Sequence, residues 1–329
     1  MIVTVTPNPS IDRTVVLPGP LLRGEVHRVQ DVSDQPGGKG VNISRACVAA
    51  GVATCAVLPA ARDDLFLQEL TELGVPHDAV RRTGPVRVNL TITEPDGTTT
   101  KLNAPGAALE SAELDALAER VLTRADGGWV VLAGSLPPGA PVDWYAVLTR
   151  RLRAAGHSVA VDTSEAPLAA VVAALTPEGA PSLLKPNAEE LASVTGAEVG
   201  DLEADPVRVA LAARTLVDRG VGAVLATLGG SGAVLVDATG AWHATPPATR
   251  VVSTVGAGDS SLFGYLAADL RGEAAPARLA SAVAHGSAAA GLPGTTMPTP
   301  QDVRTHEVRV RPLDLSSEPA HEGDPSWQS

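Results

Sequence analysis

Short apolar runs and longer stretches of helical spacing alternate along most of the chain. IVTVT at 2–6 is apolar and β-branched, as a buried strand is. Similar runs at 54–59 (TCAVLP), 129–134 (WVVLAG), 158–163 (SVAVDT) and 182–187 (SLLKPN) predict further strands, followed by three at 222–227, 232–236 and 241–244. Helices are predicted from about 40 to 50, at 63–73, 109–124 and 141–155, after 163, twice between 187 and about 219, and at 257–270 and 275–290. Such alternation predicts an α/β fold, a parallel sheet with helices on both faces. Two β-rich stretches, 12–17 and 25–32, and a hairpin of 86–93 and 98–103 turning at Asp96-Gly97 do not fit it. They are read as a small second sheet projecting from the main domain.

The 329 residues are enough for a large core, and 44% hydrophobic against 19% charged marks a globular chain. A net charge of −12 excludes a general nucleic-acid binder, which needs a basic face, but leaves room for a local basic pocket. Cys47 and Cys55 are too few for a disulfide framework or a four-cysteine zinc site. The opening MIVTVTPNPS has no basic segment followed by an apolar one, so the expectation is a cytoplasmic protein without a signal peptide. No apolar run is long enough to span a membrane. Residues 314–329, with Asp314, Glu318, Glu322 and Asp324 among Pro and Ser, are expected to be a disordered acidic tail. Arginine is the default cation, and lysine occurs only at Lys39, Lys101 and Lys185. Lysine is a compact point charge often set against phosphate, so each of the three is a candidate for such a role.

Four glycine- or asparagine-bearing segments could carry chemistry. In Ser253-Thr254-Val255-Gly256-Ala257-Gly258-Asp259, small residues open an apolar helix, where exposed N–H groups and the helix dipole bind anions. Asp259 in the first turn could take a proton from a hydroxyl attacking a bound phosphate, or simply complement the dipole. Thr227-Leu228-Gly229-Gly230-Ser231-Gly232 joins two strands, as a phosphate loop or a plain tight turn. Lys185-Pro186-Asn187-Ala188-Glu189-Glu190 closes a strand and opens a helix. Asn187 and Glu190 fit both a helix cap and a magnesium role, and the two are compatible. Gly37-Gly38-Lys39-Gly40-Val41-Asn42 could hold a sugar and a phosphate; Asp12 suits sugar hydroxyls and Arg87 a bidentate phosphate contact. Ser135 follows a strand, as a ligand contact or a turn cap.

Together these segments resemble the phosphofructokinase B (PfkB, ribokinase-like) carbohydrate kinase family. NPSID at 8–12, GGKGVN at 37–42, GSLPPG at 134–139, KPNAEEL at 185–191, TLGGSG at 227–232 and STVGAGDS at 253–260 stand in that family's order. The resemblance covers residues 1–312, leaving 313–329 as the tail. It implies a ribokinase-like three-layer α/β/α fold with a β lid from about 12–33 and 86–103. Ser253, where ribokinase-type members usually have Asp, and Lys39 in the glycine loop resemble the branch of 1-phosphofructokinases and tagatose-6-phosphate kinases. The implied reaction is ATP-dependent phosphorylation of a hexose phosphate, first fructose 1-phosphate, with tagatose 6-phosphate or fructose 6-phosphate as alternatives. A non-catalytic sugar-phosphate-binding regulator is the remaining alternative. By this resemblance Asp259 is the base, and Gly256, Ala257 and Gly258 form the anion hole. Asp12, Gly38, Asn42 and Ser135 contact the sugar, and Lys39 and Arg87 its existing phosphate. Lys185, Asn187, Thr227, Gly229, Gly232 and Gly258 serve ATP, with Asn187 and Glu190 organising Mg2+ through water. A homodimer through the lid is implied, with no nucleic acid or membrane partner. The stretch 285–294 lacks the asparagine often found near adenine in that family.

Overall fold

The computed structural model describes residues 1–316; residues 317–329, most of the expected tail, lie outside the described residues. The chain opens with β1 (Ile2–Val5), β2 (Ser10–Val16), β3 (Asp31–Gly37), α1 (Lys39–Ala49), β4 (Thr54–Ala60) and α2 (Leu65–Glu72). Then come β5 (His77–Arg81), β6 (Arg87–Thr93), β7 (Thr99–Asn103), α3 (Ser111–Arg124), β8 (Trp129–Ala133) and α4 (Trp144–Ala154). Next are β9 (Ser158–Asp162), α5 (Glu165–Ala173), β10 (Leu183–Leu184), α6 (Ala188–Thr195), α7 (Val199–Ala204) and α8 (Pro206–Val217). The last are β11 (Ala223–Thr227), β12 (Ala233–Asp237), β13 (Gly240–Thr245), α9 (Ala257–Leu270), α10 (Ala275–Ala290) and β14 (Arg309–Pro312).

The main sheet runs β14-β13-β12-β11-β10-β9-β8-β1-β4-β5. From β11 to β5 it is parallel, and β12, β13 and β14 join antiparallel at one edge. Alternate residues of the parallel strands feed opposite layers. Val3, Val5, Val130, Leu132, Val159, Val161 and Val224 pack under α3 to α8. Ile2, Trp129, Val131, Ala133, Ala160 and Leu225 pack under α1, α9 and α10. Both faces are buried, so these strands read as continuous apolar runs, and the three-layer expectation holds.

The second sheet, β3-β2-β6-β7, is where the sequence reading needs correcting. The strand expected at 25–32 lies at 31–37. Val26 and Val29 are exposed in irregular chain, while the polar DVSDQPG pairs with all of β2. The expected turn at 36–40 shrinks to Gly38, which alone links β3 to α1. Its φ is 103°, and a Cβ there would come within 2.7 Å of the Thr6 methyl. Two edge strands, β5 and β14, were not expected, being short and partly polar. The predicted strand at 182–187 shrinks to Leu183–Leu184 plus a single bridge from Asn187 to Thr227. Three helices, not two, fill 188–217, because Asp205 caps a new one with Pro206 in its first turn. Leu313, at the start of the expected tail, is buried and donates its N–H to Ala241.

Candidate active site

Parallel strands deliver functional groups at their carboxyl ends. Thr6 follows β1, Ser135 follows β8, Asp162 ends β9, Lys185 follows β10 and Thr227 ends β11. All but the fully buried Asp162 join β2, β6, α1 and α9 in lining a cavity of about 450 Å³. Its lining includes the expected Asp12, Gly38, Lys39, Asn42, Arg87, Ser135, Lys185, Asn187, Glu190, Thr227, Gly256, Gly258 and Asp259. A second, more apolar cavity of about 540 Å³ adjoins it, sharing Asn187, Thr227 and Gly258. The expected Gly229, Gly232 and Ala257 line only this second space. Its far wall is Val251, Val283, Gly286, Ser287 and Ala290, so the 285–294 stretch does meet the cavity, through small residues.

At one end of the first cavity, Asp12 Oδ1 accepts from Ser10 Oγ at 2.8 Å and Asn89 Nδ2 at 3.1 Å. Oδ2 has no such partner and is open to a hydroxyl. Arg87 donates from Nη1 to Ala104 O at 2.7 Å, and its Nη2 lies 3.4 Å from Ser135 Oγ. Its Nε is buried without a partner, so this half-buried guanidinium is a ready anion contact. Burial pulls its pKa down, with Asp12 opposing. Ser135 is positioned through its neighbour: the Gly134 carbonyl accepts from Tyr145 Oη and Thr163 Oγ1, both at 3.0 Å.

At the other end α9 begins. Gly256 caps it at φ 77°, a left-handed conformation that glycine adopts without strain. The N–H groups of Gly256, Gly258 and Asp259 have no backbone acceptor, and that of Ala257 makes only a 3.4 Å turn contact to Thr254. Free N–H groups at a helix start are the arrangement that suits an anion. Asp259, 6% exposed, accepts from Asn42 Nδ2 at 2.8 Å. Burial, then the charge of Asp162, pushes its carboxyl up to about 6. That suits a proton acceptor working near neutrality.

Asp162 is the buried charged residue of this region that the sequence did not single out. It is fully buried, and Lys39 Nζ lies 2.7 Å from Oδ1 and Lys185 Nζ 3.1 Å from Oδ2. The second contact is charge on charge without hydrogen-bond alignment, which leaves Oδ2 without a hydrogen bond. Burial works against its ionisation, but the two lysines outweigh it and hold the carboxyl below its usual range. The available signal was position: SVAVDT ends an apolar parallel strand on a carboxylate. Thr6, Asn8, Ser10, Asn89 and Ser164 line the cavity and carried no expected role. Lys101 lines neither cavity.

Asn187 and Glu190 form the helix cap that the sequence allowed. Asn187 Oδ1 accepts from the Glu190 N–H at 2.7 Å, and Glu190 Oε2 from the Asn187 N–H at 2.9 Å. No group of three acidic, histidine or cysteine side chains among the described residues could hold a metal alone. No helix among them is long and apolar enough to cross a membrane.

Comparison with known proteins agrees with this geometry. The pfkB family carbohydrate kinase profile matches residues 6–302. The 1-phosphofructokinase of Rhodobacter capsulatus is 38% identical over 94% of this chain and 98% of its own. That of Haloferax volcanii is 36% identical over 94% and 97%. Among solved structures, phosphofructokinase-2 of Escherichia coli in complex with substrates and products superposes with a TM-score of 0.84 at 30% identity, over 93% and 97%. Arabidopsis thaliana ribokinase, at 21% identity and a TM-score of 0.69 over 92% and 96%, shares the fold. With this profile across residues 6–302 and relatives this similar over nearly their whole length, the protein belongs to the PfkB family of carbohydrate kinases.

Proposed function

We propose that this chain transfers the γ-phosphoryl group of ATP to fructose 1-phosphate, giving fructose 1,6-bisphosphate and ADP. The observation that carries the reading is the place of Asp259, held by Asn42 at the start of α9, where a polar cavity meets an apolar one. The relatives named 1-phosphofructokinase favour fructose 1-phosphate as acceptor. Fructose 6-phosphate is the second reading, because a neighbouring solved structure holds that sugar. The intact Asp259, Lys185 and Glu190 argue against a regulator without catalysis.

In this reading the sugar lies between Asp12 and Asp259, with Asn42, Gly38 and Ser135 around it and its own phosphate at Arg87. The nucleotide lies along Thr227, Gly229 and Gly232, with its base toward Val283 and Ala290 and its phosphates toward Lys185, Asn187 and Gly258. Asp259 takes the proton of the attacking hydroxyl. The α9 amides and Lys185 stabilise charge on the phosphoryl group in flight, so the protein's work is positioning and charge neutralisation. Glu190 and Asn187 fit Mg2+ held through water, since Mg2+ prefers a few protein contacts plus phosphate oxygens. Both residues line the cavity, and Glu190 Oε1 takes no part in the cap hydrogen bonds, which is consistent with that. When bound, Mg2+ neutralises phosphate charge. Cys47 and Cys55, both buried free thiols, suit a reducing, cytoplasmic setting.

Residues 1–312 are the proposed kinase domain, and the β2-β3-β6-β7 sheet its lid, excluding water from the transfer. Asp12, Asn89 and Asn103 share the lid face toward the cleft. Ile11, Val15, Val32, Val88, Leu90, Ile92 and Leu102 share the opposite one. Val32, Val88 and Leu102 are exposed there, which supports pairing of two lids in a homodimer. Leu102→Asp is then expected to yield monomers in sedimentation equilibrium. A wild-type chain that sediments as a monomer, or an unchanged dimer in the variant, rejects the lid interface.

The substrate reading is tested by ADP release with MgATP and fructose 1-phosphate, fructose 6-phosphate, tagatose 6-phosphate, fructose or ribose. The expected kcat/KM for fructose 1-phosphate exceeds the others by about 10²-fold, since a site with a half-buried, incompletely paired cation rejects sugars that leave it unpaired or misplaced. A preference for a 6-phosphate moves the substrate and keeps the mechanism. Turnover of unphosphorylated sugars alone removes the role of Arg87.

A further inference from the structure

We infer that Lys39 serves the phosphoryl group being transferred, not the phosphate the sugar already carries. This rests on the kinase reading above and reassigns one of its residues. The ammonium of Lys39 is bound to Asp162 at 2.7 Å, and the same carboxylate meets Lys185 at 3.1 Å. Two ammonium groups therefore share one buried carboxylate. Lys185 Nζ lies against the start of α9, where a Cβ added to Gly258 would sit 3.4 Å from it. Gly258 precedes Asp259, so the row Gly258, Lys185, Asp162, Lys39 places Lys39 at the transfer end of the cavity.

Charge sorts the cations the same way. Lys39 is held ionised by Asp162, Asp259 and Glu190 against the effect of burial. Arg87, by contrast, feels Asp12 at the sugar end. Asp162 cancels one of the two lysine charges, and the pair retains a net positive charge facing Asp259. Lys185 is 5% exposed and Lys39 is 35% exposed at the side chain, so Lys39 has donors left for a ligand in the cavity. A loose phosphoryl group spreads negative charge over three equatorial oxygens, and two lysines fixed on one carboxylate match that demand. Asp162 is then a positioning residue acting through both.

The test separates binding from turnover in Lys39→Met and Lys39→Gln; glutamine keeps a donor for Asp162 if methionine does not fold. The affinity for the sugar phosphate, titrated calorimetrically without nucleotide, is expected to stay within about threefold of wild type. The kcat is expected to fall about 10²-fold, as when one transition-state donor is removed. Arg87→Ala is the contrast, with sugar-phosphate affinity weakened about tenfold or more, as when a charged partner is truncated in a binding site. A tenfold or greater loss of sugar-phosphate affinity in a folded Lys39 variant overturns the inference, and so does an unchanged kcat. If wild type prefers another hexose phosphate, the same measurements use that sugar, so failure of the substrate reading and failure of this inference give different results. If wild type turns over no sugar phosphate at all, the kinase reading fails and the inference with it.

Discussion

Asp259→Asn is expected to lower kcat by about 10²–10⁴, the usual contribution of a positioned base, while ATP still binds. Asparagine keeps the size of the side chain and an oxygen to accept from Asn42, so the site geometry is retained and only proton acceptance is lost. The wild-type pH profile should carry the same signature. With the carboxyl pushed up to about 6 by burial and by Asp162, kcat/KM should fall about tenfold per pH unit below that value. The variant's residual rate should lack this limb. Stability gives an independent reading. A carboxyl whose native pKa is raised favours the fold below its unfolded pKa, and that advantage is lost as pH rises through the native value. At pH 8 ionised Asp259 therefore costs on the order of 2–3 kcal/mol. Asp259→Asn should melt several degrees higher than wild type at pH 8 and at nearly the same temperature at pH 4. Near-wild-type kcat in the variant would remove Asp259 from the reaction. A variant less stable at pH 8 would mean that the ionised carboxylate stabilises the fold.

Much of this site is legible in the sequence because its parts are local. The glycine-led start of α9, the capping pair Asn187 and Glu190, and the loop into α1 each declare themselves within a few residues. The apolar runs of the parallel strands reveal the layered fold for the same reason. What stays hidden depends on pairing between distant segments. Nothing in DVSDQPG looks like a strand, and only β2 alongside makes it one. The EVHRVQ segment has better β character but no partner, and its valines are left in solvent. Asp162 looks like any polar residue ending a strand until Lys39, from α1, and Lys185, from the end of β10, reach it. Its importance lies in separations of 123 and 23 positions, beyond any motif. Lys39 is hard to place from sequence for the same reason, since the glycine loop shows its neighbours along the chain and not the carboxylate its ammonium reaches.

Asp162→Asn should therefore be the most damaging single change outside the base. It leaves Lys185, 5% exposed, beside Lys39 with no carboxylate between them. Breaking a buried ion pair by removing one partner costs about 3–5 kcal/mol, because the remaining charge stays desolvated. Lys39 is partly exposed and water screens part of that cost, so about 3 kcal/mol and a melting temperature lower by roughly 4 °C are expected. The pH dependence has a definite sign. The native carboxyl of Asp162 lies below its usual range, so its contribution is present above the unfolded pKa and is lost as pH falls through the native one. Lys39 is shifted upward, so its contribution is present below the unfolded lysine value of about 10.4 and is lost as pH rises through the native one. The stability gap between wild type and variant should be flat from about pH 7 to 9, above the Asp259 titration, and should narrow above that range and in acid where Asp162 itself protonates. Catalysis should fall about 10²-fold as the lysines lose their common anchor. A purely structural role would not predict the last effect. The negative charge of Asp162 helps raise the pKa of Asp259, so in the variant the acid limb of kcat/KM should move to lower pH. A limb that stays at about 6 while the protein is destabilised would mean that Asp162 supports the fold without tuning the base.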